Sequence, residues 1–170
     1  MKNISLLFLL VFFAACSSFQ PQKTKLGYGR MSFQEMSHGA YQIHSRDTIA
    51  DPNSPSGNHN IVSGITLLQE TDTIIGKVGN ALGVVYRFET DVPKNIELVK
   101  VWNFPGEMTN ETGEHFNRVE RLDRINTNSE TYTTYIFEKE FEIVPGPWRL
   151  RFFYKDAVIY DHTFIVVKPN

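Results

Sequence analysis

The chain has 170 residues, a formal net charge of −2 and 13% aromatic residues. Seventeen basic against nineteen acidic side chains exclude a broad basic nucleic-acid surface, and the single cysteine excludes a disulfide within the chain. The length suits one domain, which at this size buries roughly two-thirds of the surface its unfolded form exposes and so needs no metal or staple to fold.

Lys2 gives the start a positive charge, residues 4–15 form an almost unbroken apolar run, and Ala14 and Ala15 stand directly before Cys16. The run is too short to cross a ~30 Å hydrocarbon core and has the size of a signal-peptide apolar region. Residues 1–15 resemble a bacterial lipoprotein signal, with Phe13-Ala14-Ala15-Cys16 as the lipobox and Phe13 in place of the usual leucine. The resemblance implies cleavage before Cys16, diacylglycerol on its sulfur and a third acyl chain, such as palmitate, on its amine. Several acyl chains on one residue give lasting membrane attachment. Ser17 stands where an aspartate would imply inner-membrane retention, so the resemblance implies the outer membrane. Lys23 and Lys25, where surface export would ask for acidic residues, favour its periplasmic side. Residues 16–33, polar at first and carrying Pro21, read as a flexible tether.

Residues 34–170 read as the domain. Residues 40–46 alternate, with Tyr41 and Ile43 on one face, and 51–60 (DPNSPSGNHN) are a loop by composition. Residues 60–69 form a strand carrying Ile61, Ile65 and Leu67. Residues 82–89 place Leu82, Val84, Tyr86 and Phe88 on one face. Residues 96–104 are apolar on both faces, the mark of a central strand. Pro105-Gly106 predicts a turn, followed by a polar loop. Residues 115–125 fit a strand or a helical turn, since Phe116, Val119 and Leu122 have helical spacing but no cap. Residues 131–138, 148–154 and 157–167 alternate as strands, the last two joined tightly at Lys155-Asp156. Seven to nine short strands without a βαβ rhythm predict an all-β, antiparallel two-sheet immunoglobulin-like sandwich; a barrel is the alternative.

Chemistry is hard to find on this chain. Val144-Pro145-Gly146-Pro147-Trp148 predicts a type II turn that launches Trp148 into the core, against the alternative of an exposed aromatic platform. Gly76, Gly79 and Gly83 suggest a phosphate cradle, but Val78 follows Lys77 where a hydroxyl would be needed, so turns explain them better. His38, His44, His59, His115 and His162 show no compact ligand spacing, which leaves metal binding only to convergence in space; no metal and no cofactor are expected. Asp161 and His162 point to opposite faces of one strand. Glu140 and Glu142, two apart on a strand, form a carboxylate pair of the kind common on solvated sheets. Asn110-Glu111-Thr112 fits a glycosylation sequon and reads as a polar loop; Asp47-Thr48-Ile49 and Asp72-Thr73-Ile74 match a short O-glycosylation pattern.

Further residues carry a second resemblance. Gly39-Ala40-Tyr41, the run Thr71-Asp72-Thr73-Ile74-Ile75 leading to Gly79 and Leu82-Gly83, the run Phe141-Glu142-Ile143-Val144-Pro145-Gly146-Pro147-Trp148, and Thr163-Phe164-Ile165-Val166 are similar to an uncharacterised bacterial family, domain of unknown function 3859. Leu82 departs from the family's usual phenylalanine. The resemblance implies a secreted β-sandwich and assigns no catalytic residue. The reading is therefore a lipid-anchored binding or assembly module of the cell envelope, not an enzyme. Its partners are the membrane, through Cys16, and an envelope protein or glycan, with loops 51–60 and 104–114 as the surfaces to test. Alternatives are a glycan or peptidoglycan hydrolase built from converged carboxylates, and a carrier of apolar ligands.

Overall fold

A computed structural model describes residues 23–26 and 31–169. The signal stretch 1–15 and Cys16 lie outside the described residues. Ten strands are present among those described: β1 (Lys23–Leu26), β2 (Met31–Ala50), β3 (Asn58–Glu70), β4 (Thr73–Ile75), β5 (Ala81–Glu89), β6 (Asn95–Thr109), β7 (His115–Asn126), β8 (Glu130–Ile136), β9 (Gly146–Tyr154) and β10 (Ala157–Val167). They make two five-stranded sheets packed as a sandwich. The first runs β1-β2-β5-β8, with β3 also on β2; the second runs β4-β10-β9-β6-β7.

The core follows from period-two alternation. Leu82, Val84, Tyr86 and Phe88 of β5 are fully buried, and so are Trp148, Leu150 and Phe152 of β9 and Phe164 of β10. Rings from the two sheets meet across the middle. Phe33 lies 5.1 Å from Tyr160, Tyr86 lies 4.8 Å from Phe152, and Tyr135 lies 4.9 Å from Trp148. Each such pair contributes about 0.5–1.5 kcal/mol beyond its buried area. β6, apolar on both faces, sits between β9 and β7 as a central strand should.

Several expectations need correction. Residues 16–33 are not wholly a tether: β1 pairs with β2, and β2 begins at Met31 because Met31 and Phe33 alternate into the core. All pairings but one are antiparallel; β4, reached by a crossover from the first sheet, runs parallel to β10. Residues 115–125 are strand, not helix, since they pair antiparallel with β6. Pro105-Gly106 makes no turn. It lies inside β6, where the register with β7 is interrupted between Asn103 and Met108, a place where a missing amide donor is tolerated. Gly146 faces it with φ +128°, and a Cβ there would come within 2.8 Å of the Pro105 Cβ.

Gly83 is not a turn glycine either. It lies within β5, where an added Cβ would sit 2.2 Å from the Thr133 carbonyl oxygen of β8. Gly83→Ala therefore pushes two paired backbones apart. Denaturant unfolding should show a loss of about 1–3 kcal/mol, the usual range for overpacking; an unchanged midpoint would show that β5 and β8 are not so closely apposed.

Candidate functional site

β2 is long and irregular. Its register shifts between Glu35 and Ser37 against β5, and three more times between Ala40 and Arg46 against β3. Each bulge bends a strand and re-aims its side chains. Two regions are built by those bends.

The first is a groove. The β2–β3 hairpin reaches to the edges of both sheets at β7 and β8. Its tip is braced internally, with Asp51 N–H donating to the Gly57 carbonyl (2.9 Å) and Asn53 N–H to the Asp51 carboxylate (2.9 Å). The Asp51 carboxylate pairs with Arg121 of β7, Arg46 with Glu138 at 3.2 Å, and the Tyr132 hydroxyl of β8 donates to the Val62 carbonyl at 2.6 Å. Beneath this strap lies a cavity of about 500 Å³. Its walls are β7 and residues 130–136 of β8, the strands that end the two sheets. Ser54, Asn58 and His59 of the strap lie above, and Lys100 and Trp102 of β6 form part of the lining. The expected loop 51–60 thus lines the groove through several of its residues, whereas most of 104–114 is β6 followed by a tight turn.

Lys100 is a buried charge of the groove, whose lining also holds Arg121, Arg124, Asp123, Glu130, Glu138 and Glu142. It belongs to the inward row of β6 with Leu98, Trp102 and Phe104, and is only 7% exposed. Its ammonium meets Asp123 of β7 at 2.5 Å and lies 5.7 Å from the Tyr86 ring and 6.0 Å from the Phe152 ring. Burial would lower its pKa, but the Tyr86 oxygen and the Asp123 carboxylate outweigh burial and raise it, so the group stays charged. His59 moves the other way: burial, aided by Arg121, lowers its pKa and favours the neutral ring.

Four carboxylates, those of Asp123, Glu130, Glu138 and Glu142, also line the groove. Glu140 and Glu142 lie on a short 3-10 helix, not on a strand face. Glu142 is buried, accepting from the Tyr135 hydroxyl (2.8 Å) and from the Glu138 and Lys139 amides (2.6 and 2.8 Å). Burial raises its pKa, and these donors offset that only in part. The Trp148 indole is fully buried and donates to the Val144 carbonyl at 2.7 Å, which makes it a core residue and not a platform. Asn110 accepts from the Thr112 and Glu114 amides (3.0 and 2.8 Å), so the sequon is a self-braced turn.

The second region lies where β2, β10 and the turn before β4 meet. In a regular strand residues three apart face opposite ways. The bulge after Glu35 brings Glu35 and His38 together, Glu35 Oε1 to His38 Nδ1, at 2.5 Å. Across the sandwich, His162 follows Tyr160 in the inward row of β10, and its ring centroid lies 4.5 Å from that of His38. Asp72 Oδ1 reaches both imidazoles, His38 Nε2 at 3.1 Å and His162 Nε2 at 2.8 Å. The Asp72 carbonyl accepts from the Ile165 amide at 2.7 Å, which fixes the turn. The Glu35 hydrogen bond is the strongest cause raising the His38 pKa. Burial pulls Glu35 upward, but His38 and Tyr160 prevail and lower it. The linear sequence hid this meeting, because 124 residues separate His38 from His162 and a bulge sets the face of Glu35. Of the other histidines, His44 bonds Thr66 at 2.7 Å and His115 meets Glu107 at 2.8 Å. Asp161 pairs outward with Arg149, on the face opposite His162.

Comparison with known proteins agrees with this architecture. The family model described as Domain of unknown function (DUF3859) matches residues 29–166. No curated protein matches the chain. Among solved structures, an immunoglobulin-like protein of Pseudomonas aeruginosa aligns with a TM-score of 0.57 at 17% identity, covering 89% of this chain and 99% of its own. That likeness shows the fold. An alkylpurine DNA glycosylase of Pseudomonas fluorescens, bound to DNA containing an abasic site analog, aligns at a TM-score of 0.34 and 10% identity over 56% of this chain and 27% of its own, too slight a likeness to bear on function.

Asp123→Asn removes the carboxylate that faces the buried Lys100 ammonium. Because Asp123 is itself partly exposed, the expected loss is about 1–3 kcal/mol, below that for a fully buried pair. Adding Lys100→Met should recover most of it in denaturant titration. Equal stability of Asp123→Asn and the parent would show that the pair is not coupled.

Proposed function

The chain belongs to the DUF3859 family, and we propose that it is a lipid-anchored binding module of the bacterial cell envelope, docking an extended segment of a partner protein along the free edge of β8. One observation carries this reading: residues 130–136 of an edge strand line a roofed groove of about 500 Å³. An edge strand offers a row of unpaired amides and carbonyls, and proteins ordinarily cover or blunt such edges to prevent indiscriminate pairing. Here the strap arches over the edge and leaves room beneath it. An added strand satisfies backbone groups along such an edge, while side-chain pockets select the sequence. Trp102, Tyr132 and Tyr135 supply aromatic walls for those pockets, and the mixed lining of Lys100, Arg121 and Arg124 with Asp123, Glu130, Glu138 and Glu142 favours a segment with polar side chains.

The anchor belongs to the same proposal. Cys16 carries the acyl chains, the signal 1–15 is removed, and the sandwich is held at the outer membrane facing the periplasm. Ser17 and the basic Lys23 and Lys25 support that placement, and multiple acyl chains make the attachment lasting.

Two measurements test the parts separately. Labelled palmitate should enter the native chain and not Cys16→Ser; equal labelling of both would remove the anchor. A photoreactive residue replacing Thr134, inside the groove, should capture an envelope protein in intact cells, whereas one replacing the exposed Val158 should not. The captured segment, made as a peptide, should slow amide exchange over residues 130–136 at least tenfold. Equal capture at both positions, or unaltered exchange in β8, would contradict docking by strand addition.

A further inference from the structure

We propose that Glu35, His38 and His162 form a binding site for a first-row divalent transition metal, zinc foremost. One ligand atom from each of the three lies within 4.8 Å of the others. Two imidazoles with a carboxylate are a donor set that suits zinc and its neighbours better than magnesium or calcium, which prefer oxygen alone. Metal bonds of ~2.0–2.1 Å in a tetrahedron place ligand atoms ~3.3 Å apart. The Glu35–His38 contact of 2.5 Å therefore has to open by less than an ångström.

Three further features fit a metal site better than an ordinary hydrogen-bond cluster. His38 presents Nδ1 to Glu35 and Nε2 to Asp72. A cation held on Nδ1 leaves the Nε2–H to donate to Asp72, the outer carboxylate arrangement that orients metal-bound histidines. The same Asp72 oxygen also contacts His162 Nε2, so one side chain sets both rings. The charges balance as well. Two carboxylates, Glu35 and Asp72, surround the two imidazoles, a local excess of negative charge that a divalent cation offsets.

The third feature is Tyr160. It is only 8% exposed and sits beside Glu35, whose carboxylate its hydroxyl faces. Three protein ligands leave one tetrahedral position to water, and the Tyr160 hydroxyl would steady the Glu35 carboxylate from its outer side. Phe164, whose ring centroid is 4.6 Å from that of His162, supplies an apolar wall.

The test is calorimetric titration of the purified full chain in detergent with zinc chloride, repeated with cobalt(II) to read coordination from its visible spectrum. One equivalent should bind, with intense tetrahedral cobalt bands. His162→Ala should weaken zinc binding at least a hundredfold, and Asp72→Asn, acting through the rings, about ten- to a hundredfold. His44→Ala, on the exposed β2–β3 ladder, should leave affinity unchanged, and far-ultraviolet circular dichroism of each variant reports that the sandwich persists. No stoichiometric binding by the folded parent, or equal affinity in the parent and a folded His162→Ala variant, would overturn the site.

Discussion

The interrupted register of β2 is the constraint on which the rest of this molecule depends. A strand of twenty residues paired on both sides would ordinarily run straight and present alternate side chains to fixed faces. β2 pairs with β1, β3 and β5, and loses register four times. The first break places Glu35 and His38 side by side. The later ones lie where the β2–β3 hairpin departs from the body of the sheet toward β7 and β8. Both regions with chemical character therefore originate in the irregularities of one element.

The remainder of the sandwich is regular enough to carry those irregularities. The aromatic rows of β5, β9 and β10 interlock across the two sheets, and the contacts of Phe33, Tyr86 and Tyr135 with the opposite sheet tie the layers together. Among the described residues, one ammonium stands buried within this apolar interior. Lys100 occupies a core position of β6, and a charge there persists only with a carboxylate and ring faces around it. Asp123 answers it from β7, close to the groove. The polar opening between β7 and β8 is thus coupled to how the core is charged, through a Lys100–Asp123 pair that belongs to both.

How much of this was legible in the sequence depended on regularity. Residues 82–89, 148–154 and 157–167 alternate cleanly, and each forms the strand that its pattern implies, with Trp148 inward as expected. The β-sandwich and the family likeness were also within reach. Pro105-Gly106 misled because the pair is the same whether a strand turns or merely loses one ladder bond. Glu140 and Glu142 misled because one pair two apart is too short a sample to set a period, and in a 3-10 turn of three residues such positions do not share a face. Only residues 40–46 of β2 read as strand, for a related reason: the bulge after Glu35 breaks the very alternation that identifies a strand. The meeting of His38 with His162 had no linear signal, since pairing across two sheets is a property of the packing and not of spacing.

A bulged β2 that gathers ligands at one end and roofs a free strand edge at the other is a testable geometry. The most direct measurement is diffraction from zinc-soaked crystals collected at the zinc absorption edge. The account predicts one strong anomalous peak at about 2.0–2.2 Å from the Glu35 carboxylate and from a ring nitrogen of each of His38 and His162. Density that traces β2 in unbroken register, with Glu35 and His38 on opposite faces and no zinc between them, would contradict it.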